Sequence, residues 1–363
     1  MEALPEIQHI KENGVRRTGN SNSVTISTVA QEAGVGLGTV SRVLNNHPSV
    51  SSATRQAVLE AMKKLGYQPN EQARRLARGL TETICFVLSN RSFMHSFHGR
   101  ILQGVESHCS SVGRQVVFTT CRYSSDVPPS ALQLPAIIRS KGAVDGFILA
   151  GTNYPNFLAA LEQVELPFVF FGNNLIGQDC FDRPDTVLSD DTGGAYAATR
   201  HLQEIGHKKI AYIGHISYPW FRRRYEGYVQ AMTEAGLQPM SVEPSDTSVN
   251  YGLGAVREMV NKAIQVTAIF AGNDHVAYGV WRGLREAGLS IPDDMSLVGF
   301  DDREESLLTE PTLTTVRVFK EEVGAECARM LLKKIESPNA MFDPVVLPTE
   351  LLIRGSTAPP RHG

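Results

Sequence analysis

TISTVAQEAGVGLGTVSRVLNN, residues 25–46, decides how the rest of the chain is read. Ile26, Val29, Ala30 and Ala33 recur at i, i+3, i+4 and i+7, the spacing of one buried helical stripe. Thr25 stands before them as an N-cap and Gly34 after them as a stop. Beyond Gly34, Val35 and Gly36 a second run turns Val40, Val43 and Leu44 inward and leaves Leu37, Gly38, Thr39, Ser41 and Arg42 outward or flanking. Two short helices around a glycine turn form a helix-turn-helix, whose second helix fits a DNA major groove. A third helix is expected after Val50, Ser51 and Ser52, running through Val58, Met62 and Leu65 to Gly66. It closes a three-helix core that two helices cannot build alone.

Charge follows the motif. Residues 24–80 carry seven Lys/Arg against three Glu, a net +4, and the first 23 residues balance, so a chain of net charge −3 leaves −7 after residue 80. Segregation of this kind puts the nucleic-acid-facing part at the N-terminus. With 363 residues, 42% hydrophobic and 20% charged, the composition is that of a soluble protein of two or three domains. No apolar run is long enough to cross a membrane. Residues 1–23 lack the apolar core and cleavage site of an export signal and read as a mobile polar tail, weak phosphate contacts by Arg16 and Arg17 being the alternative; the expected location is the cytoplasm. Five scattered cysteines (Cys85, Cys109, Cys121, Cys180, Cys327) contain no C-x-x-C pair and are expected as buried free thiols, with no metal site or disulfide.

From Thr83 short apolar runs alternate with amphipathic helices: ICFVLS, a helix through Leu102 and Val105, RQVVFTT, a helix before Gly142, VDGFILAG, a helix, and PFVFFGN. A second set follows, with a helix through Ala198 and Leu202, KKIAYIG, RRYEGYVQAMTEAGL, a short strand near Met240, VTAIFAGND, a helix to Gly288, SLVGFDD and TTVRV. Each set describes βαβ units on a parallel sheet buried on both faces. Open parallel sheets bind ligands at the carboxyl ends of their strands, so two facing lobes share one cleft. The strand-end candidates are Ser89 and Asn90; Gly172, Asn173 and Asn174; Asn273, Asp274 and His275; and Phe300, Asp301 and Asp302. Asp, Asn and Arg supply the paired donors and acceptors that a polyol needs, while aromatic faces pack on a sugar ring.

The helix-turn-helix residues, together with VSSATRQAVLEAMKKLGYQPNEQARRLARG at 50–79, resemble the headpiece of the lactose- and galactose-repressor family of bacterial transcription regulators. The resemblance continues with gaps to Gly355. It implies an all-α three-helix headpiece plus hinge helix, followed by a two-lobed α/β periplasmic-binding-protein-like core with parallel sheets. The implied domains are a tail at 1–23, a headpiece at 24–69, a hinge at 70–82 and a core at 83–363. Within the core the N-lobe takes about 83–187 plus 319–348 and the C-lobe about 188–317 plus 349–363, with crossovers near Val187, Arg317 and Leu351. Segment 70–79 is too short to hold a helix alone. In the family it orders on operator DNA, and Leu76, beside Arg75, matches the apolar wedge that enters the minor groove.

For DNA the resemblance places Leu37 and Gly38 at base-edge positions; Arg42 is the candidate base contact, and Thr39, Ser41 and Asn45 are the candidate phosphate contacts. Gly38 offers no side chain and costs a helix about 1 kcal/mol relative to alanine; Gly36 replaces the usual N-cap serine. For an effector it assigns Arg224, Asn273 and Asp301, with Phe97 as the aromatic after the first strand and Tyr218 and Trp220 as specificity positions; Asn173 and His275 join them from the strand ends. Departures exist. His95 and Ser96 precede Phe97 where relatives have Asn-Pro, Gly172 replaces a frequent acidic residue, and Asp191 stands where Asn is common. The expected partners are double-stranded operator DNA, a sugar or sugar-phosphate effector and a second copy in a homodimer; no leucine heptad follows Arg354, and no membrane partner or cofactor is expected. A periplasmic sugar-binding protein without a regulatory role is the alternative. An enzyme is disfavoured: the glycines at 34, 36 and 38 lie between helices, and no Walker A, H-E-x-x-H or G-x-S-x-G motif occurs.

Overall fold

Thr25 caps the first helix through its hydroxyl, which accepts from the Thr28 amide, and Gly34 ends it at φ +66°. This helix, α1 (Ile26–Glu32), leads through the glycine turn into α2 (Leu37–Leu44) and then α3 (Ser52–Leu65), capped by Ser51 and stopped by Gly66. Val29, Ala30, Val40, Val43, Val58 and Ala61 form their common core. The computed structural model describes residues 25–44, 49–67, 80–91, 96–140, 142–177, 183–244 and 250–361. Asn45, Arg75, Leu76, the hinge segment, Cys180 and the N-terminal tail lie outside them. The chain divides between residues 78 and 79 into two compact units.

In the second unit the apolar runs become two six-stranded sheets. The first contains β1 (Thr83–Ser89), β2 (Gln115–Cys121), β3 (Gly146–Gly151), β4 (Phe168–Phe171), β5 (Thr186–Ser189) and, much later, β11 (Val345–Leu347), in the order β11-β5-β4-β3-β1-β2. All its pairings are parallel, with Thr83 to Ser89 facing Gln115 to Cys121 in register. Helices α4 (Ser96–Ser111), α5 (Ala136–Arg139) and α6 (Pro155–Glu162) connect these strands. Strands β1 and β3 are buried along their whole length, since helices cover both faces.

The second sheet follows α7 (Asp191–Glu204) and contains β6 (Ile210–Ile213), β7 (Met240–Ser241), β8 (Ala268–Ala271), β9 (Ser296–Asp301), β10 (Thr314–Val318) and β12 (Thr349–Leu352). Helices α8 (Pro219–Glu234), α9 (Tyr251–Asn261) and α10 (Asp274–Glu286) join its strands, and α11 (Lys320–Glu336) returns to pack on α4. Its order is β12-β10-β9-β8-β6-β7. The chain thus passes between sheets three times, after β5, after β10 and after β11. The strands read from sequence in the second set all pair in parallel, and one further edge strand, β12, runs antiparallel to β10. The reason is geometric. β11 ends at the strand ends of its own sheet, and a chain crossing from there enters the second sheet at its carboxyl edge and runs the opposite way.

Glycines let the covering helices touch backbone to backbone. A Cβ on Gly104 of α4 would collide with the Glu321 carbonyl of α11, and one on Gly324 with the Ile101 carbonyl of α4. Gly227 of α8 lies in the same way against the Thr192 carbonyl of α7, and Gly252 of α9 against the Val276 carbonyl of α10. Overpacking a filled interface costs about 1–3 kcal/mol, more where only backbone could yield. Gly104→Ala and Gly227→Ala should each lower the unfolding free energy of the second unit, read from denaturant titration, by at least that much. The control is Gly236→Asn at the exposed end of α8, where the Cβ meets nothing and the φ of +68° suits asparagine; it should stay within about 1 kcal/mol.

Candidate functional site

Two surfaces carry the residues singled out from sequence. On the first unit, α2 buries Val40 and Val43 and leaves Leu37, Gly38, Ser41 and Arg42 exposed, with Thr39 half-buried. Leu37 is 51% exposed, an apolar side chain presented rather than packed. Open space surrounds the position where Gly38 would carry a Cβ. The helix opens on Gly36, whose carbonyl accepts from the Thr39 and Val40 amides.

The second surface is a cavity of about 420 Å³ where the strand ends of the two sheets face each other. From the first sheet it is lined by Arg91, Phe97, His98 and Asn174. The second sheet supplies an aromatic wall, Tyr218, Trp220, Phe221 and Tyr251 with His215, and a polar floor, Arg224, Asn273, His275, Asp301 and Arg303. Tyr218 and Trp220 stack with centroids 4.8 Å apart and planes 19° apart. Their position at the start of α8 fixes them there, with Tyr218 as N-cap and Pro219 opening the helix.

Arg224 is held on every side. Its Nε donates to Asp191 Oδ1 at 2.9 Å, its Nη1 to the Gly272 carbonyl at 2.7 Å, and its Nη2 lies 3.1 Å from Asp301 Oδ1. The Phe300 ring lies 3.7 Å from the guanidinium carbon. Asp191 is fully buried and also takes Arg223, whose Nη2 lies 2.9 Å from Oδ2. Burial alone would push the Asp191 carboxyl up, but Arg224, Arg223 and the Asn173 amide outweigh it and hold its pKa below the usual range.

Asp301 occupies a strained turn at φ +111°, followed by Asp302 at +48°. The buried Lys320 ammonium pins this turn, donating to the Asp301 carbonyl at 2.5 Å and the Asp302 carbonyl at 3.1 Å. Asp302 is gripped by Arg317 and Arg354 at 2.8 and 2.6 Å. Asp301 and Asp302 are therefore packed and paired, unlike a solvated acidic loop. Asp301 Oδ1 is buried 3.1 Å from Arg224 Nη2 and has no aligned hydrogen-bond donor; the residue lines the cavity. Asn273 caps α10 through Oδ1, which accepts from the Val276 amide at 2.9 Å, leaving its amide nitrogen to donate.

Asn173 does not line the cavity. The short turn Gly172–Asn174 aims its side chain inward, where Nδ2 donates to the Ser189 carbonyl and to Asp191 Oδ2 and Oδ1 accepts from the Ser189 amide. Its neighbour Asn174 lines the cavity instead. Sequence reasoning passed over Arg91, His215, Tyr251 and Arg303. Arg91 and Arg303 lie just past strand ends already marked, and His215 follows β6 by two residues. Tyr251 opens a helix that carried no sequence signal recognised above.

Residues 25–70 match the lacI family of bacterial regulatory proteins, and residues 199–357 a periplasmic binding protein-like domain. Over 339 residues the chain is 34% identical to the HTH-type transcriptional regulator CelR of Thermobifida fusca, covering 92% of this chain and 98% of that one. This chain belongs to the lacI family. Among solved structures it is similar to a lac repressor dimer bound to operator and the anti-inducer ONPF, with a TM-score of 0.73 at 28% identity, covering 92% of this chain and 99% of that one. A CelR–cellobiose complex gives a TM-score of 0.66 at 32% identity, covering 92% and 100%. This lacI-family protein is a ligand-responsive DNA-binding transcriptional regulator and not an enzyme. Among the described residues no helix is long and apolar enough to cross a membrane.

The buried charges set two expectations. Removing one partner of a buried ion pair costs about 3–5 kcal/mol, so Asp191→Ala should lower stability by that amount at neutral pH. Because the folded pKa of Asp191 is depressed, the difference between variant and wild type should shrink as pH falls below the usual carboxylate range. Asp274 behaves oppositely. Burial and then the charge of Asp301 push its carboxyl up to about 7, although the Arg303 amide and the Thr315 and Ser306 hydroxyls donate to it. Its ionisation is resisted only in the folded state, so stability should decline as pH rises from about 4, the unfolded value, towards 7. Asp274→Asn should remove that slope in denaturant titrations across the window.

Proposed function

We propose that the exposed face of α2 reads an operator and that the cavity between the lobes binds the sugar-class effector that controls it. The observation that carries the second half is the cavity floor, where a locked Arg224, the Asp301 carboxylate and the amide of Asn273 meet beneath an aromatic wall. Such a set reads the hydroxyls of a polyol while ring faces pack on its apolar side. Phe97, Tyr218, Trp220, His275, Arg224, Asn273 and Asp301 are the effector-contacting residues in this reading. Asn173 acts behind them by orienting Asp191.

On DNA, Arg42 makes the base contact, a guanine by the geometry of a bidentate guanidinium. Thr39, Ser41 and Asn45 bind phosphates, and Leu37 and Gly38 face base edges with little capacity for direct readout. Arg75 and Leu76 serve as the hinge contact, with Leu76 as wedge. The protein acts in the cytoplasm as a homodimeric repressor on a pseudo-palindromic site, the assembly of the lac repressor dimer bound to operator. The bound sugar of the CelR complex supports the effector class. Control requires only that the effector bind the two lobe arrangements with different affinity, and the difference then biases operator binding.

Fluorescence anisotropy with DNA from the protein's own promoter region, against scrambled DNA and with sugars added, tests both halves. Specific binding that one sugar shifts is the expected result; equal, steeply salt-dependent binding to both DNAs would reduce the headpiece to its charge. Arg42→Ala should weaken operator binding by about 1–3 kcal/mol and relax the preference at one base pair, and unchanged affinity would defeat that assignment.

A further inference from the structure

One cationic group in the cavity is not accounted for by a neutral sugar. Of the lining arginines, Arg224 is matched by Asp191 and Asp301, and Arg303 by Glu305 at 3.0 Å. Arg91 has no carboxylate partner among the described residues. Its Nε donates to Thr152 Oγ1 at 2.8 Å and its guanidinium lies 4.9 Å from the centre of the Trp220 ring. Those two contacts fix the plane and direction of the group while leaving its terminal N–H donors without an acceptor among the described residues. Among the described residues Asp301 is the only acidic one on the cavity wall, and it is already paired with Arg224.

Helix geometry adds to this. Tyr218 gives α8 no side-chain cap and the first turn contains no acidic residue. The positive end of a 16-residue helix therefore opens on the same aromatic wall. Burial works against the Arg91 charge, and a guanidinium kept charged in such a place gains from an anion that completes its hydrogen bonds.

We propose that the effector is an acidic carbohydrate, whose carboxylate or phosphate seats against Arg91 while its hydroxyls are read by Arg224, Asn273 and Asp301. This rests on the effector reading above and narrows it. Arg91 comes from the first sheet and Trp220 from the second. An anion held between them ties its recognition to the relative position of the lobes.

The test is calorimetric titration of the full chain with matched series: each neutral sugar, cellobiose included, beside its uronate and its phosphate ester. The expected result is a form bearing one acidic group that binds at least tenfold more tightly than its neutral parent. Whether uronate or phosphate ester prevails decides the source of the charge. Arg91→Gln should abolish that preference, and Arg91→Lys should keep part of it because the charge remains. Neutral sugars binding as well as or better than their acids, or a preference that survives Arg91→Gln in a protein with unchanged melting temperature, would overturn the proposal while leaving a sugar effector in place. Binding of no sugar, neutral or acidic, would remove the effector reading and this inference with it.

Discussion

A single buried carboxylate holds the effector core in order. Asp191 begins the first helix after the chain leaves the first sheet, and its two oxygens are shared among Arg223, Arg224 and Asn173. Arg223 reaches back to the Asn173 carbonyl at 2.5 Å, so one set of charge-assisted bonds joins the end of β4, the first crossing and α8. A lone carboxylate could not remain ionised in such surroundings. Two guanidiniums make it possible, and in return the carboxylate fixes the rotamer of the arginine that forms the cavity floor. Arg224 is thus positioned before any ligand arrives, which limits the ordering cost that binding must overcome.

The opposite wall uses backbone strain for the same end. Asp301 and Asp302 both sit at positive φ, a conformation that side-chain-bearing residues rarely adopt. The surrounding structure over-determines it: Lys320 collects the carbonyls, Arg317 and Arg354 hold Asp302, and Asp274 anchors the next residues through the Arg303 amide and the Ser306 hydroxyl. Lys320 opens the helix that follows the second crossing. The segment that joins the lobes therefore also shapes a residue that lines the cavity, which is a direct physical route between the cavity and lobe arrangement.

Periodicity made most of this architecture legible. The headpiece helices followed from Val29, Val40, Val43 and Val58 with their caps, and the strands of both sheets from uninterrupted apolar runs such as ICFVLS and SLVGFD. What escaped the patterns has identifiable causes. The helix Tyr251–Asn261 has a glycine-rich start whose function, close approach to α10, hides its propensity. The helix Lys320–Glu336 and the short strand Val345–Leu347 return to the first sheet from a distant part of the chain, and local spacing does not encode destination. At the site, strand-end logic marked Asn273 and Asp301 but could not tell Asn173 from Asn174, because which of two adjacent amides faces the cavity depends on a short turn. Asp191 read as a departure from the usual asparagine; only its burial against two arginines shows why a charge is suited there.

Helices that meet through glycine have a mechanical consequence. Side chains in contact can absorb a displacement by changing rotamer, whereas two backbones in contact have no such slack. The α4–α11, α7–α8 and α9–α10 pairs therefore behave as stiff plates, and compliance is concentrated in the three short ribbons that pass from one sheet to the other. A small shift imposed on the cavity wall does not dissipate within a lobe. It reappears, magnified by the lever arm, at the far end of the plate.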